Sequence, residues 1–482
     1  MIFIINQNMR LWIFLIISLF ICRPLSAESK IILSHAKVKE LALAQGLEAE
    51  LAQNQKQSAL YGVMQTRSLY DTLLKAKLHY VQDKLEQSTA VFGTDNKTFI
   101  YNTELSQNTA LGTNVGVGFL NTKTQTNSLF TTTPSAYDSQ IYASIRQPLA
   151  KNFMGYLNRK EIEKAIKQAQ ALEAGAQSRL QGYVFQALGY YWQLYLFEQN
   201  LSFEKEAFEM ADKLYQANHK KKDLGIIEAA DLSAFAANRD TRKSLLLGAQ
   251  SDLIKARENI LNALNLFDQN SIPVTSQETF RNIKLTSLEF MLKQAFDNRP
   301  DYQARKRELE MTDISLKMAK NKLWPELDVL ASLNLNGVDS KSSSALENIG
   351  DGHPKWQVGM EFAFPLQNRS SRSQVKLSEF DKKNKILEFK KTENEIIKQI
   401  KTSYQNYKIA FQKIGVLQSA ITNQRARYSE EIARFEQGRS DSNAVIKAEE
   451  DLIGARQMLL KAKVDFRFAL VDLEFAQGKI LE

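Results

Sequence analysis

The residue types that carry most enzyme chemistry are few and scattered in this chain. His35, His79, His219 and His353 are its four histidines, and none has a second ligand at metal-binding spacing. There is no Walker loop, no Gly-x-Ser-x-Gly elbow, no His-Glu-x-x-His and no paired cysteine motif. Gly116-Val117-Gly118 lacks a third glycine and lies in strand-like sequence. The residues that stand out lie instead at two breaks in long helical stretches. Asn218, His219, Lys220, Lys221, Lys222 and Asp223 mark the first; Gly438, Arg439, Ser440 and Asp441 mark the second. A basic hairpin tip is either a solvated end or an electrostatic docking patch, and both readings stand. Asp223 and Asp441 are candidate carboxylates at a mouth. No catalytic, cofactor-binding or metal-binding residue is assigned, and no cofactor is expected.

The elements that position these breaks follow from proline and periodicity. No proline lies between Pro148 and Pro273, and none follows Pro365. Both intervals are rich in Ala, Leu, Gln, Glu, Lys and Arg, which are good helix formers. Ala187, Tyr190, Leu194, Phe197, Leu201, Phe208, Ala211 and Tyr215 step three and four apart in the first. Ile397, Ile400, Tyr404, Tyr407, Phe411, Ile414 and Ile421 do so in the second. Such a stripe packs against a partner helix in coiled-coil fashion. The two intervals match at a shift of 217–220 residues, with Pro148 against Pro365 and Tyr190 against Tyr407, which reads as an internal duplication. Each half then carries a helical hairpin. The arm over 155–217 spans about 90–100 Å at ~1.5 Å per residue. Asn298-Arg299-Pro300-Asp301 has the form of a helix start, with asparagine as cap, proline in the first turn and an acid near the positive end.

Ahead of each hairpin the period changes to two. Leu327, Val329, Ala331, Leu333 and Leu335 alternate with polar residues, as do Trp356, Val358, Met360, Phe362 and Phe364. Gly337–Lys355 between them predicts a long exposed loop. In the first half Phe99, Tyr101, Leu105, Leu111, Val115, Val117 and Phe119 all fall on odd positions. Asn121–Ser135 reads as a loop before a further strand from Tyr137 to Gln147. Segments of about ten residues with one apolar face suit a barrel wall between lipid and water. Trp324 and Trp356 would suit opposite interfacial girdles. A soluble sheet with one wet face has the same alternation. A few strands cannot close a barrel, and an open edge does not survive in lipid. A membrane reading therefore requires a symmetric oligomer sharing a strand barrel and a helical tube.

Arg10 and the apolar run Leu11–Ile21, then Pro24-Leu25-Ser26-Ala27, form a secretory signal over residues 1–27. Cys22, the only cysteine, is either a lipid-anchor site or an apolar-core residue lost with the signal. In the second case the mature chain has no thiol, and no disulfide. The formal charge of +9 is mild for 482 residues, with basic residues spread along helices, so nucleic acid is not required as a partner.

Over nearly the whole mature chain the sequence resembles the TolC-like outer-membrane efflux protein family. Asn298-Arg299-Pro300-Asp301, the run Ala319–Pro325 and Pro365-Leu366-Gln367-Asn368-Arg369 carry the likeness. Arg434-Phe435-Glu436-Gln437-Gly438 and Leu473-Glu474-Phe475-Ala476-Gln477-Gly478 complete it. The resemblance implies an α+β membrane protein, a homotrimer with a periplasmic α-barrel of coiled-coil helices and a shared twelve-stranded outer-membrane β-barrel. That is about four strands per protomer, whereas Thr72–Gln147 has alternating sequence for four strands by itself. The turn Thr109–Thr113 could add a hairpin, and the strand number stays open. The implied order is a first repeat over 28–267, an equatorial connection over 268–300 and a second repeat over 301–482. The implied partners are a periplasmic adaptor (a membrane fusion protein), an inner-membrane pump and outer-membrane lipid. The implied function is passive export through the outer-membrane duct of a tripartite efflux or type I secretion system.

Three departures qualify this expectation. Asp71 stands where the second half has Pro325. Ala444 and Lys447 occupy positions where some relatives carry mouth aspartates, which argues against an acidic gate there. Both tips lack an apolar flank, which points to a more basic docking chemistry. A periplasmic coiled-coil scaffold that never inserts is the alternative reading.

Overall fold

The computed structural model describes residues 29–86, 91, 93–266, 271–280, 283–351 and 354–482. The predicted signal over 1–27, Cys22 and His353 lie outside the described residues. The first half contains β1 (Ser29–Leu33), α1 (His35–Gln45), α2 (Leu47–Arg67), β2 (Leu73–Asp83), β3 (Asn96–Asn108), β4 (Asn114–Thr126) and β5 (Ser135–Pro148). Two long helices follow, α3 (Tyr156–Asp223) and α4 (Ala229–Ala263), then β6 (Ser271–Thr275). The second half has α5 (Leu288–Asn298), α6 (Pro300–Asn321), β7 (Glu326–Asp339), α7 (Ser342–Glu347), β8 (Pro354–Ala363), α8 (Arg369–Glu436) and α9 (Ser442–Ala476). The chain forms two compact units. One takes residues up to Gln53, Gln177–Pro300 and Asn394–Glu482; the other takes Asn54–Ala176 and Asp301–Glu393.

The duplication is plain in the helices. α3 and α8 are each 68 residues long, and α4 and α9 are each 35. Tyr156 corresponds to Arg369 and Ala229 to Ser442, both 213 apart, which corrects the expected shift of 217–220. The error has a simple cause. A slip of four or seven residues is about one or two helical turns and returns the same face, so periodicity alone does not register a helix along its axis. The expected seam is likewise displaced by one residue in part. Over the expected seam Ile396, Ile400, Ser403 and Tyr407 are the buried positions of α8, with Ile397 and Tyr404 at their flank.

The first tip also lies later than expected. α3 runs unbroken through Asn218–Asp223, and its stop is Gly225, whose φ of +73° suits the left-handed cap that favours glycine. Gly225 N–H donates to Lys222 O (2.8 Å) and Ile226 N–H to Lys221 O (2.9 Å). Gly438 (φ +68°) repeats the pattern, with Gly438 N–H on Phe435 O (3.0 Å) and Arg439 N–H on Arg434 O (2.9 Å). These are Schellman closures, and their repetition at both tips is part of the duplication. Lysine tolerates helix interiors well, so the polar run 218–223 was never a breaker.

In the first unit β1 pairs in parallel with β6, from Ser29 opposite Ser271 to Leu33 opposite Thr275. Its core gathers Leu188, Tyr191, Trp192, Leu194, Ile260 and Leu264, all 2% exposed or less. Two of the motifs that carry the family likeness meet here. Arg299, 7% exposed, donates from Nη1 to Gln399 Oε1 (2.6 Å) and to Ala476 O (3.2 Å). Gly478 (φ +75°) closes α9 beside it, and Gln181 Nε2 donates to Gly478 O (2.9 Å). Asn298 is the last residue of α5 rather than the cap of the next helix; Pro300 and Asp301 do occupy the first turn of α6.

A Cβ on Gly478 would stand 3.0 Å from Arg299 N and from Asn298 C and O, on top of a φ that L side chains rarely adopt. Gly478→Ala is therefore expected to cost about 2 kcal/mol or more. Gly248→Ala, in an exposed helix position with nothing within 4 Å, should be neutral or stabilising by about 1 kcal/mol. Comparing the denaturation midpoints of the two variants by circular dichroism checks the contrast.

Candidate functional site

Two surfaces have features that a globular helical protein does not need. The first is a single antiparallel sheet in the order β2-β3-β4-β5-β7-β8. It has six strands, the higher of the numbers left open by the alternating sequence of Thr72–Gln147. The turn 109–113 does make a hairpin, and β4 continues to Thr126 into the segment expected to be a loop. Gly337–Lys355 is not one long loop either. β7 extends to Asp339, and the short helix α7 packs back so closely that a side chain on Gly337 would overlap Ala345 O.

Register shows the two faces directly. Leu74, Leu105, Val117, Ala143, Leu333 and Trp356 stand opposite one another across all six strands. The next row is Lys75, Glu104, Gly118, Tyr142, Asn334 and Lys355. Apolar and polar rows thus alternate in phase over the whole sheet. The apolar side is open: Leu74 is 62% exposed, Leu78 65%, Trp356 74% and Met360 67%. Trp324, one turn before β7, and Trp356, near the opposite end of β8, are both exposed. On the polar side Tyr142 lies across Gly118, where a Cβ would overlap its ring. Its Oη donates within reach of Asn102 Oδ1 and Glu104 Oε2, each at 3.2 Å. Arg146 joins Asp328 (2.6 Å) and Glu361 (3.2 Å) on the same side. Among the described residues no helix is long and apolar enough to cross a membrane.

The second surface is the pair of tips. Asn218 is buried and donates from Nδ2 to Leu214 O (2.8 Å), so it is packing rather than docking surface. His219 Nδ1 lies 3.1 Å from Asp223 Oδ2, one turn on, and Lys221 Nζ sits 6.0 Å from the Phe435 ring centre. Lys220, Lys222 and Arg439 are exposed. Asp441 caps α9, accepting from Ala444 N–H at 2.8 Å, which gives this candidate mouth carboxylate a structural task. Ser440 bonds to Glu431, and Lys447 pairs with Asp451 at 3.2 Å. Lys447 and Arg427 together hold the Asp451 carboxyl below its ordinary range, Lys447 first.

The two tips are tied to each other by groups that the sequence reading missed. Phe235 meets Phe435 edge to face at 5.5 Å, and Ser442 Oγ donates to Asp231 Oδ1 at 2.7 Å. Below them Glu449 is wholly buried, accepting from Asn238 Nδ2 at 3.2 Å, with buried Arg242 as its cation. Burial pushes the Glu449 carboxyl up, against the opposing pull of Arg242 and Asn238. Burial and Glu449 also push the Tyr428 hydroxyl up to about 12. The only available signal was an acid on an otherwise apolar helix face, Val445, Ala448, Glu449, Leu452.

Comparison with known proteins bears on both surfaces. The sequence profile described as "Outer membrane efflux protein" matches residues 291–479. The match covers most of the second half of the chain and leaves the first half outside it. Among solved structures, the outer-membrane channel OprN aligns with 92% of this chain and 89% of its own, at 16% identity and a TM-score of 0.70. CusC aligns over 95% of both chains, at 14% identity and 0.72. The CmeC outer membrane channel of Campylobacter jejuni covers 95% of this chain and 90% of its own, at 14% and 0.68. At these identities the likeness is one of fold. A search of curated proteins by sequence returns no match. The matched residues contain both of the motifs that meet at Arg299 and Gly478, whereas the first half is similar to these channels in fold alone.

Because its folded pKa is raised, Glu449 favours the folded tips most below the ordinary carboxylate value of 4.5. That contribution is lost as pH rises through its raised pKa. Glu449→Gln should therefore slow amide exchange in α4 and α9 near the tip at neutral pH. Near pH 4 the variant and the parent should exchange alike.

Proposed function

We propose that this chain is one subunit of a homotrimeric outer-membrane exit duct, through which a tripartite efflux or type I secretion system passes its substrates passively. The observation that carries the reading is the two-faced sheet. Its apolar rows are exposed across every strand, which in water would expose a large contiguous apolar surface. In a bilayer the same rows face lipid and the polar rows line a water-filled lumen. The helices then run in the periplasm, and no reaction chemistry is needed along the path.

In this reading the tips are the docking end. Lys220, Lys222 and Arg439 project free positive charge there, while Lys221 and His219 are engaged by Phe435 and Asp223. An adaptor with acidic hairpins fits that surface, and electrostatic pairing of this kind weakens with salt. The non-inserting scaffold leaves the open apolar face unexplained.

Planar-bilayer recording with purified full-length protein tests the duct. Stable conductance from trimers is the expected result; a soluble monomer with no conductance overturns it. Reversing the tip charge with Lys220→Glu, Lys222→Glu and Arg439→Glu should lower recovery of a copurifying adaptor in pull-downs. The same triple variant should conduct as the parent does.

A further inference from the structure

We propose that all six strands are membrane wall, so that three copies close an eighteen-stranded barrel by pairing β8 of one copy with β2 of the next. The inference rests on the duct reading above and departs from the twelve strands that the family resemblance implies. Its first support is phase. β2 and β3 carry their apolar residues on the same face as the other four strands, in unbroken register from Leu74 to Trp356. A hairpin folded away from the wall, into water or over the lumen, has no need of that match.

The second support is that the additional strands are fastened at both ends. At one end Asn127 Oδ1, after β4, accepts from Thr94 N–H (2.7 Å) and Asp95 N–H (3.0 Å), before β3. Ser128 Oγ donates to Val91 O (2.5 Å) there as well. At the other end Gln107 Nε2 donates to Tyr70 O (2.9 Å) and Asn108 Nδ2 to Leu69 O (3.2 Å), where α2 gives way to β2. The turn 109–113 meets the start of α3 so closely that a Cβ on Gly112 would lie 2.7 Å from Gly155 N. In between, Tyr142 of β5 reaches over β4 to Glu104 of β3.

The third support is the pair of edges. β2 and β8 each have one unpaired side, and lipid offers no donor or acceptor to satisfy it. With six alternating strands the two edges run in opposite directions, so a head-to-tail ring continues the antiparallel order without a fault. Six is even, as closure of identical antiparallel sheets requires. The polar side of the β2 edge carries Lys75 and Lys77, and that of β8 carries Lys355 and Glu361. Barrel diameter grows roughly linearly with strand number, so the lumen would be about one and a half times that of a twelve-stranded wall.

The mature sequence lacks cysteine if residues 1–27 are removed, so single cysteines report topology. Leu85→Cys and Phe130→Cys, both 71% exposed, should react with a membrane-impermeant maleimide on intact cells. Leu111→Cys, 51% exposed, should react only after the outer membrane is permeabilised. Leu78→Arg, on the lipid face of β2, should lower trimer yield on the order of tenfold or more, while Lys77→Gln on the lumen face should not. If the parent conducts but Leu85→Cys is silent on intact cells, or Leu78→Arg assembles normally, the eighteen-stranded wall is wrong and the duct stands. If the parent forms no channel at all, both fall.

Discussion

In the proposed duct, backbone hydrogen bonding in a medium without water governs most of the architecture. Each strand edge presents a row of N–H and C=O groups that lipid cannot satisfy, and every unsatisfied group there costs several kcal/mol. A sheet of six strands has two such edges. In the proposed trimer, closure by symmetry would remove both. Apolar residues on the long helices are likewise covered only in part by the chain's own elements. Ile409 (59% exposed), Val416 (70%) and Leu387 (66%) are examples on α8.

The duplication serves that closure economically. Equal helix pairs of 68 and 35 residues, closed by the same left-handed glycine turn, place two equivalent hairpins in each subunit. Where the halves differ, the differences are concentrated in the strands and at the tips. Four strands of the six-stranded sheet precede the first hairpin and two precede the second. At the tips, the first half ends in a lysine run and the second in Gly438-Arg439-Ser440. Glu449 adds a buried carboxyl beneath both, close to Arg242 and Asn238, so the tip is held by a polar cluster rather than by apolar packing alone. Such clusters are sensitive to the charge state of one member, because the low local dielectric raises the cost of any unpaired group.

Much of this was legible in the residues. The change from a period of 3.6 to a period of two located the two groups of strands that join in the six-stranded sheet, and proline bounded both long hairpins. Glycine at 438 marked its tip correctly. At the first tip a polar run drew the eye five residues early, because Gly225 sits beyond it and only its positive φ shows that the helix stops there. The helical register was missed by four to seven residues for the reason that a face recurs with every turn.

The strand number shows most clearly where sequence ends and tertiary structure begins. β3 and β4 pair so that residue numbers in each opposed pair are both odd or both even, as in Leu105 with Val117. Their apolar residues therefore stay on odd positions straight through the turn, and a hairpin looks like one long strand. In β2 the parity flips, with Leu74 opposite Leu105, so its apolar face falls on even positions. By itself the sequence determined the two periodicities, the duplication and, on a membrane reading, the need for copies to close what one chain leaves open. Those are properties of spacing along the chain, which composition and alternation record. Only the tertiary structure decided how many strands form the sheet, where the tips turn and which acid is buried beneath them. Those depend on register and on left-handed backbone turns, which are set by contacts between residues far apart in sequence.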